Sequence, residues 1–209
     1  MTTTERLLLL MLGLIVCGNS SCTWNGARVR PPKFDAAAAG KAAIAECDAN
    51  GDAAISGKEL DRVPAIRAAL DKFDANGDKQ VSAEEITARI ESWQRVPMVA
   101  TPMNCSVRIG GRPLAGATIV LEPESFLGDQ LRPATGITDQ SGFAYLSMAT
   151  DDGSTSAFSG VQCGLYKVRI TKLNGSKQVI PAKFNTDTQL GLEVAPDARY
   201  VRDGLRFDL

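Results

Sequence analysis

The sequence predicts an α+β protein of two domains, in which a helical domain precedes an all-β domain. Residues 35–96 contain two twelve-residue segments rich in Asp and Asn, each flanked by stretches with helical periodicity. From residue 97 onward, short apolar runs alternate with turns rich in Gly, Asp and Asn, a pattern typical of a sandwich of short strands. Pro97 and Pro102 mark the change of pattern, so the domain boundary is predicted at residue 97.

Residues 1–22 have the features of an export signal. Residues 7–17 are almost entirely apolar, follow Arg6 and precede a short polar stretch that ends at Cys22. The apolar run is short for a membrane-spanning helix and fits the core of a signal peptide, so we expect export to the periplasm, the outer membrane or the cell surface. The stretch also resembles a bacterial lipoprotein signal, which implies membrane attachment through a lipid on Cys22. A conventional signal with Cys22 as an ordinary thiol, and an uncleaved anchor, are the alternatives. A linker is predicted over residues 23–34.

Four helices are predicted in the first domain. Asp35 suits the start of the first helix, because its side chain can accept a hydrogen bond from the unpaired backbone N–H groups there. Pro64 suits the first turn of the third helix, where a missing N–H is tolerated. The predicted helices cover residues 36–47, 58–62, 64–73 and 84–94.

The two Asp-rich segments begin at Asp48 and Asp74 and repeat one pattern of oxygen ligands at positions 1, 3, 5, 7, 9 and 12. Position 7 contributes its backbone carbonyl. Ca²⁺ takes roughly six to eight oxygen ligands, and this spacing turns them toward one centre. The pattern resembles the EF-hand family, which implies Ca²⁺ as the bound ion. The ligands implied are Asp48, Asn50, Asp52, Ala54, Ser56 and Glu59 in the first loop, and Asp74, Asn76, Asp78, Gln80, Ser82 and Glu85 in the second.

Two further positions of the loops carry predictions. Position 6 of an EF-hand loop is normally Gly because the backbone turns there with positive φ, but this chain has Ala53 and Lys79. A side chain in that conformation costs roughly 1–2 kcal/mol, so we expect weaker calcium binding than in a loop with Gly. Ile55 and Val81, at position 8, are expected to pair as a short two-stranded bridge between the loops.

The second domain has a resemblance of its own. Its segments 111–119, 136–143 and 160–168 resemble, in order and spacing, the carboxypeptidase regulatory-like domain family. The resemblance implies a transthyretin-like or immunoglobulin-like β-sandwich over residues 97–209, with a structural and adhesive role and no catalysis. Together with the paired loops, the arrangement resembles exported proteins of planctomycete-type bacteria. The predicted fold is therefore a helical EF-hand pair followed by a sandwich.

The cysteines and aromatic residues of the sandwich give two more expectations. Cys105 and Cys163 are predicted to form a disulfide, because exported proteins encounter oxidising conditions. Phe143 and Tyr166 are expected in the core.

Composition excludes several classes of function. A net charge of −1 gives no general attraction for nucleic acid. The absence of His removes Ser-His-Asp triads, Cys-His dyads and His-based zinc sites. Asp139, Asp151 and Asp152 are interpreted as turn residues, and a hydrolase built from Asp139 and Asp151 is disfavoured. We expect no enzyme.

The sequence therefore predicts an exported, calcium-binding structural or interaction protein. Its expected partners are calcium ions and an unidentified protein or glycan of the cell envelope. One alternative is a dockerin-like assembly module that docks a cell-envelope partner, although the helix over residues 36–47 exceeds what a dockerin has before its first loop. Another is glycan binding by the sandwich, which exposed aromatic side chains would favour.

Overall fold

The computed structural model describes residues 30–149, 155–198 and 204–209. The predicted export signal, including Cys22, and most of the predicted linker lie outside these residues. Among the helices of the described residues, none combines the length and apolar character needed to cross a bilayer.

Four short α-helices lie in the first part of the described chain. Asp35 caps the first helix, and its side chain accepts a hydrogen bond from the backbone N–H of Ala38 at 2.9 Å, as predicted. Pro64 begins the second helix, where its missing N–H leaves no bond unmade. The bounds are α1 Ala36–Cys47, α2 Pro64–Ala68, α3 Leu70–Phe73 and α4 Ala83–Gln94, and a 3-10 helix spans Gly57–Asp61.

The strands form one large sheet and two small ribbons. Their bounds are β1 Ala54–Ser56, β2 Gln80–Ser82, β3 Met103–Ile109, β4 Arg112–Pro113, β5 Thr118–Pro123, β6 Ala134–Ile137, β7 Phe143–Ala149, β8 Thr155–Ser159, β9 Gly164–Thr171, β10 Leu173–Asn174, β11 Lys177–Gln178, β12 Gly191–Val194 and β13 Leu205–Asp208. In the described chain, nine strands share the large sheet, whose order is β12-β9-β5-β6-β7-β3-β13 with β4 beside β3 and β8 beside β7. Neighbours are antiparallel except β13, which runs parallel to β3. The ribbons are β1–β2 and β10–β11.

Strand β7 connects the two halves of the large sheet. Its first residues pair with β3, where Phe143 lies opposite Ser106, and its later residues pair with β6, where Met148 lies opposite Ala134. In a sandwich, β3 and β6 would belong to two separate facing sheets. Here both are hydrogen-bonded to β7, so they belong to one continuous sheet. The sheet curls on itself instead of splitting.

The helices and the sheet share one hydrophobic core. Ile55, Phe73 and Ile86 from the first part of the chain, and Leu121 and Tyr166 from the sheet, are all at most 1% exposed within a single cluster. Helix α2 lies directly against β12. The boundary predicted at residue 97 is therefore crossed by continuous apolar packing.

The predicted fold class, a helical EF-hand pair followed by a β-sandwich, is wrong. The described chain is mostly β, with four short helices and one large curled sheet. The helix predicted over residues 64–73 is interrupted at Ala69, whose φ of −117° and ψ of 25° lie outside the helical region. The segment predicted as a helical stub after the first loop forms only the short 3-10 helix. The sandwich is replaced by a single sheet because β7 pairs on both edges.

Candidate metal centre

The first Asp-rich loop folds around the side chain of Asp48, which follows directly on α1. Its two carboxylate oxygens accept hydrogen bonds from the backbone N–H groups of Gly51 at 2.7 Å and Ala53 at 2.9 Å. These bonds, led by that from Gly51, lower the pKa of Asp48 and keep it charged. The backbone of the turn therefore holds this carboxylate in place.

Three further implied ligands of this loop also accept backbone hydrogen bonds. Asn50 accepts from the N–H of Asp52 at 2.8 Å, and Asp52 accepts from that of Ala54 at 3.0 Å. Glu59, only 8% exposed, reaches back across the loop and accepts from Asn50 at 3.1 Å and Ser56 at 3.0 Å. As a result, carboxylate oxygens of Asp48, Asp52 and Glu59 all lie within 4.8 Å of one another.

The second loop repeats this hydrogen-bond pattern. Asp74 accepts from Gly77 at 2.7 Å and Lys79 at 2.9 Å, and Asp78 accepts from Gln80 at 2.8 Å. Asn76 accepts from the N–H of Asp78 at 2.8 Å. Glu85 accepts from the N–H of Ala75 at 3.1 Å and from the N–H of Ser82 at 2.9 Å, and the Ser82 hydroxyl donates to it at 3.0 Å. Across the part of the chain that the structure describes, however, only the first loop gathers three carboxylates within 4.8 Å.

A short antiparallel ribbon joins the two loops, as predicted. Ile55 lies opposite Val81, and both side chains are fully buried. Ala54 and Gln80, whose carbonyls are the implied position-7 ligands, begin β1 and β2. The ribbon therefore fixes one loop relative to the other.

The backbone strain predicted at position 6 is confirmed. Ala53 has a φ of 67° and Lys79 a φ of 65°, and within the described ranges they are the two non-glycine residues with positive φ. A Cβ in this region crowds the following carbonyl oxygen, at roughly 1–2 kcal/mol. Both loops therefore adopt positive φ at this position although neither residue is Gly.

The donor set suits a hard cation. Each loop offers carboxylate, amide, hydroxyl and backbone carbonyl oxygens, with no nitrogen or sulfur ligand among the implied positions. Such oxygen-only sets fit Ca²⁺, which tolerates irregular coordination, better than transition metals, which favour imidazole and thiolate. The first loop, with its three converging carboxylates, is the better formed of the two.

The other residues singled out from the sequence have varied outcomes. Asp139 closes a turn, as predicted, and accepts from the N–H groups of Ser141 at 2.8 Å and Phe143 at 3.0 Å. Asp151, Asp152 and Cys22 lie outside the described residues.

The structure does not join Cys105 to Cys163. Both are free, buried thiols, at 0% and 4% exposure, and burial raises the pKa of each to about 12. The predicted disulfide is therefore not formed in this structure.

One of the two aromatic predictions is confirmed and one is wrong. Tyr166 is fully buried, whereas Phe143 is 52% exposed and its neighbour on the same face of β7, Tyr145, is 75% exposed. Ile137 of β6, 68% exposed, lies close by on the same face of the sheet. The sheet thus exposes three apolar side chains on one face.

Two ion pairs that involve the large sheet escaped sequence analysis. Arg89 of α4 forms an ion pair with Glu193 of β12, and the buried Glu124 forms one with Lys167 of β9 at 3.3 Å. Arg89 and Glu193 are separated by 104 residues, so no short sequence pattern predicts this ion pair.

Comparisons with protein-family models, with curated proteins and with solved structures gave no match for this chain.

Proposed function

We propose that the protein is a calcium-binding structural or interaction protein whose primary site is the first loop. The observation that carries the proposal is the convergence of Asp48, Asp52 and Glu59 within 4.8 Å. The Asn50 side chain, the Ala54 carbonyl and Ser56, through water, complete the expected ligand set. The implied ligands include no His and no Cys.

The second loop is proposed as a weaker calcium site. It shares the backbone hydrogen bonds of the first loop, but its carboxylates are less closely gathered. Because the β1–β2 ribbon joins the loops, an ion in one restricts the other. At a free calcium concentration ten times the Kd, each site would stabilise the fold by about 1.4 kcal/mol. Calcium would therefore act as a clamp on the helical part of the chain.

Titration calorimetry on the full chain tests this proposal. Wild-type protein is expected to bind Ca²⁺, Glu59→Gln to weaken the tighter site at least about tenfold, and Glu85→Gln to weaken the other. Glu91→Gln, an exposed acid-to-amide change on the same helix as Glu85, is the matched control and is expected to bind like wild type. Absence of binding heat at millimolar calcium would reject the proposal.

Export and lipid attachment belong to the same proposal. Mass spectrometry of the mature N-terminus distinguishes a lipid on Cys22 from a conventional cleavage and from an uncleaved anchor. The dockerin-like alternative is less well supported, because α1 is a complete helix of twelve residues before the first loop. Calcium-dependent capture of one defined envelope protein would favour that alternative.

A second candidate function, binding of a neutral glycan, is favoured by the exposed face of β7. Phe143 and Tyr145 stand on one face of the strand, and Ser106 and Asn104 lie opposite them on β3. Aromatic rings present a flat apolar surface, and amide and hydroxyl groups beside them can hydrogen-bond a sugar. A glycan array is expected to give hits that Tyr145→Ala abolishes and that Leu173→Ala, at another exposed apolar residue, retains. An array without hits removes this candidate.

A further inference from the structure

Arg89 is the centre of a group of charges between α4 and β12 that is largely buried at Arg89 and Glu193 and half-exposed at Asp197. Its Nε donates to Glu193 Oε1 at 2.6 Å, and its Nη2 donates to Glu193 Oε2 at 3.0 Å. Its Nη1 and Nη2 also donate to the two carboxylate oxygens of Asp197 at 3.1 and 2.9 Å. The Arg89 side chain is 12% exposed and that of Glu193 is 6% exposed. Bidentate, charge-assisted bonds of this kind fix geometry strongly when water is largely excluded.

The helix that carries Arg89 begins in the second loop. Glu85 lies four residues before Arg89, and Trp93 lies four residues after it, so all three share one side of α4. Trp93 donates its indole N–H to Glu193 Oε1 at 2.8 Å. A displacement of Glu85 along the helix axis would therefore move Arg89 and Trp93, the two residues that donate hydrogen bonds to Glu193.

The helical segment that precedes the second loop also contacts β12. Helix α2 lies against β12 at Gly191, and α3 follows it and ends at Phe73, immediately before Asp74. Within the sheet β12 is hydrogen-bonded to β9, with Glu193 opposite Leu165. The two helical segments that flank the second loop thus meet the large sheet at the same edge strand.

We propose that Arg89 is a positioning residue that couples calcium binding by the paired loops to the stability of the β12–β9 edge of the sheet. This inference rests on the proposed function. Calcium orders Glu85, Glu85 fixes α4, and α4 holds Glu193 and Asp197 through the Arg89 guanidinium. By linkage, a stable β12–β9 edge favours calcium binding by the same factor. The sheet is therefore a calcium-responsive element although its strands supply no ligand.

Hydrogen exchange of the full chain, with saturating calcium and with chelator, tests the coupling. In wild type, the amides of β12 and β9 are expected to exchange about fivefold or more slowly with calcium, as is usual for coupled sites. In Arg89→Met, calcium is expected to slow exchange of the loop amides and to change the exchange rates of the β12 amides less than about twofold. The quantity compared is the ratio of rates with and without calcium. A merely structural contact would lower protection in both conditions and leave that ratio unchanged.

Two further variants make the test decisive. Arg169→Met is the matched control, because Arg169 of β9 forms an ion pair with Glu122 of β5 at 2.5 Å within the sheet and lies outside the path from α4 to β12. It is expected to keep the wild-type ratio. Asp197→Asn removes one arm of the group at a half-exposed residue and is expected to reduce the ratio even if Arg89→Met fails to fold.

The outcomes separate this inference from the proposed function. If calorimetry shows calcium binding but wild-type β12 and β9 are unaffected, the coupling is refuted and the proposed function stands. An unchanged ratio in Asp197→Asn and in folded Arg89→Met also refutes it. If calorimetry shows no calcium binding, the proposed function and the coupling fall together.

Discussion

Gly191 of β12 and Pro64 of α2 approach so closely that no side chain fits between them. A Cβ atom at position 191 would lie 2.0 Å from the carbonyl carbon of Pro64 and 2.1 Å from its carbonyl oxygen. Backbone atoms cannot move aside as a flexible side chain can. This contact fixes the distance between the helical part of the chain and the sheet.

Gly191→Ala is therefore expected to destabilise the protein by about 3 kcal/mol or more, at the upper end of overpacking effects. Urea unfolding at constant calcium measures the change. The control is Gly175→Ala, at a φ of 62° with no atom within 4 Å of the added methyl group, which is expected to cost only the roughly 1–2 kcal/mol of backbone strain. Equal losses in the two variants would contradict the contact.

Relief of strain in the loops gives the second prediction. Ala53→Gly and Lys79→Gly remove a Cβ from positive φ and are each expected to stabilise the protein by about 0.5–1 kcal/mol, after the greater flexibility of Gly in the unfolded chain is counted. Thermal unfolding in calcium measures the gain. Ala49→Gly, at position 2 of the first loop and without positive φ, is expected to destabilise instead. A loss of stability in all three variants would contradict the strain at Ala53 and Lys79.

The third prediction concerns pH and the buried Glu124. Its side chain is 2% exposed, one carboxylate oxygen has no hydrogen-bond partner, and burial raises its pKa to about 7 although Lys167 opposes the change. The folded state therefore holds this proton more tightly than the unfolded state. The resulting stability is fully present below the ordinary pKa of 4.5 and is lost as the pH rises through about 7.

Glu124→Gln is expected to remove this pH dependence and to be more stable than wild type at pH 8, by at most about 3 kcal/mol, since a pKa change of one corresponds to about 1.4 kcal/mol. Urea unfolding at pH 5 and pH 8 gives the comparison. The exposed Glu91→Gln is expected to keep the wild-type difference between the two pH values. The quantity compared is the stability of Glu124→Gln minus that of wild type. If this difference is no larger at pH 8 than at pH 5, the assignment is refuted.

The fourth prediction concerns thiol reactivity. Cys105 and Cys163 are buried and their pKa values are raised to about 12, so almost no thiolate is present at pH 8. Alkylation followed by peptide mapping is expected to label neither in the native protein and both in denaturant. Native labelling within minutes, or recovery of the two joined as a disulfide, would contradict the free, enclosed state.

The loops were predictable because their chemistry is local. All the implied ligands of one loop lie within twelve residues, and the positive φ at Ala53 follows from the turn itself. The pairing of Ile55 with Val81 follows from two similar loops placed side by side. In these loops, residues that are close in the sequence are also close in space, so the spacing alone predicts which side chains meet.

The sheet was less predictable because its determinants are distant in sequence. Along β7, Phe143 and Tyr145 alternate with Ala144 and Leu146, and the sequence predicts Phe143 in the core. The structure buries Ala144 and Leu146 instead, because the register with β3 and β6 turns that set inward. The double pairing of β7, which replaces the sandwich, depends on contacts that no short segment encodes.

The parallel pairing of β13 with β3 has a consequence for biosynthesis. Leu205 lies opposite Cys105, a hundred residues earlier, so one row of β3 amide and carbonyl groups stays unpaired while about half of the chain is still to be synthesised. A ribosome that stalls before β13 would release a chain whose sheet ends in an open edge, the kind of surface that recruits strands from other molecules. Shielding of nascent chains by chaperones would matter most during that interval.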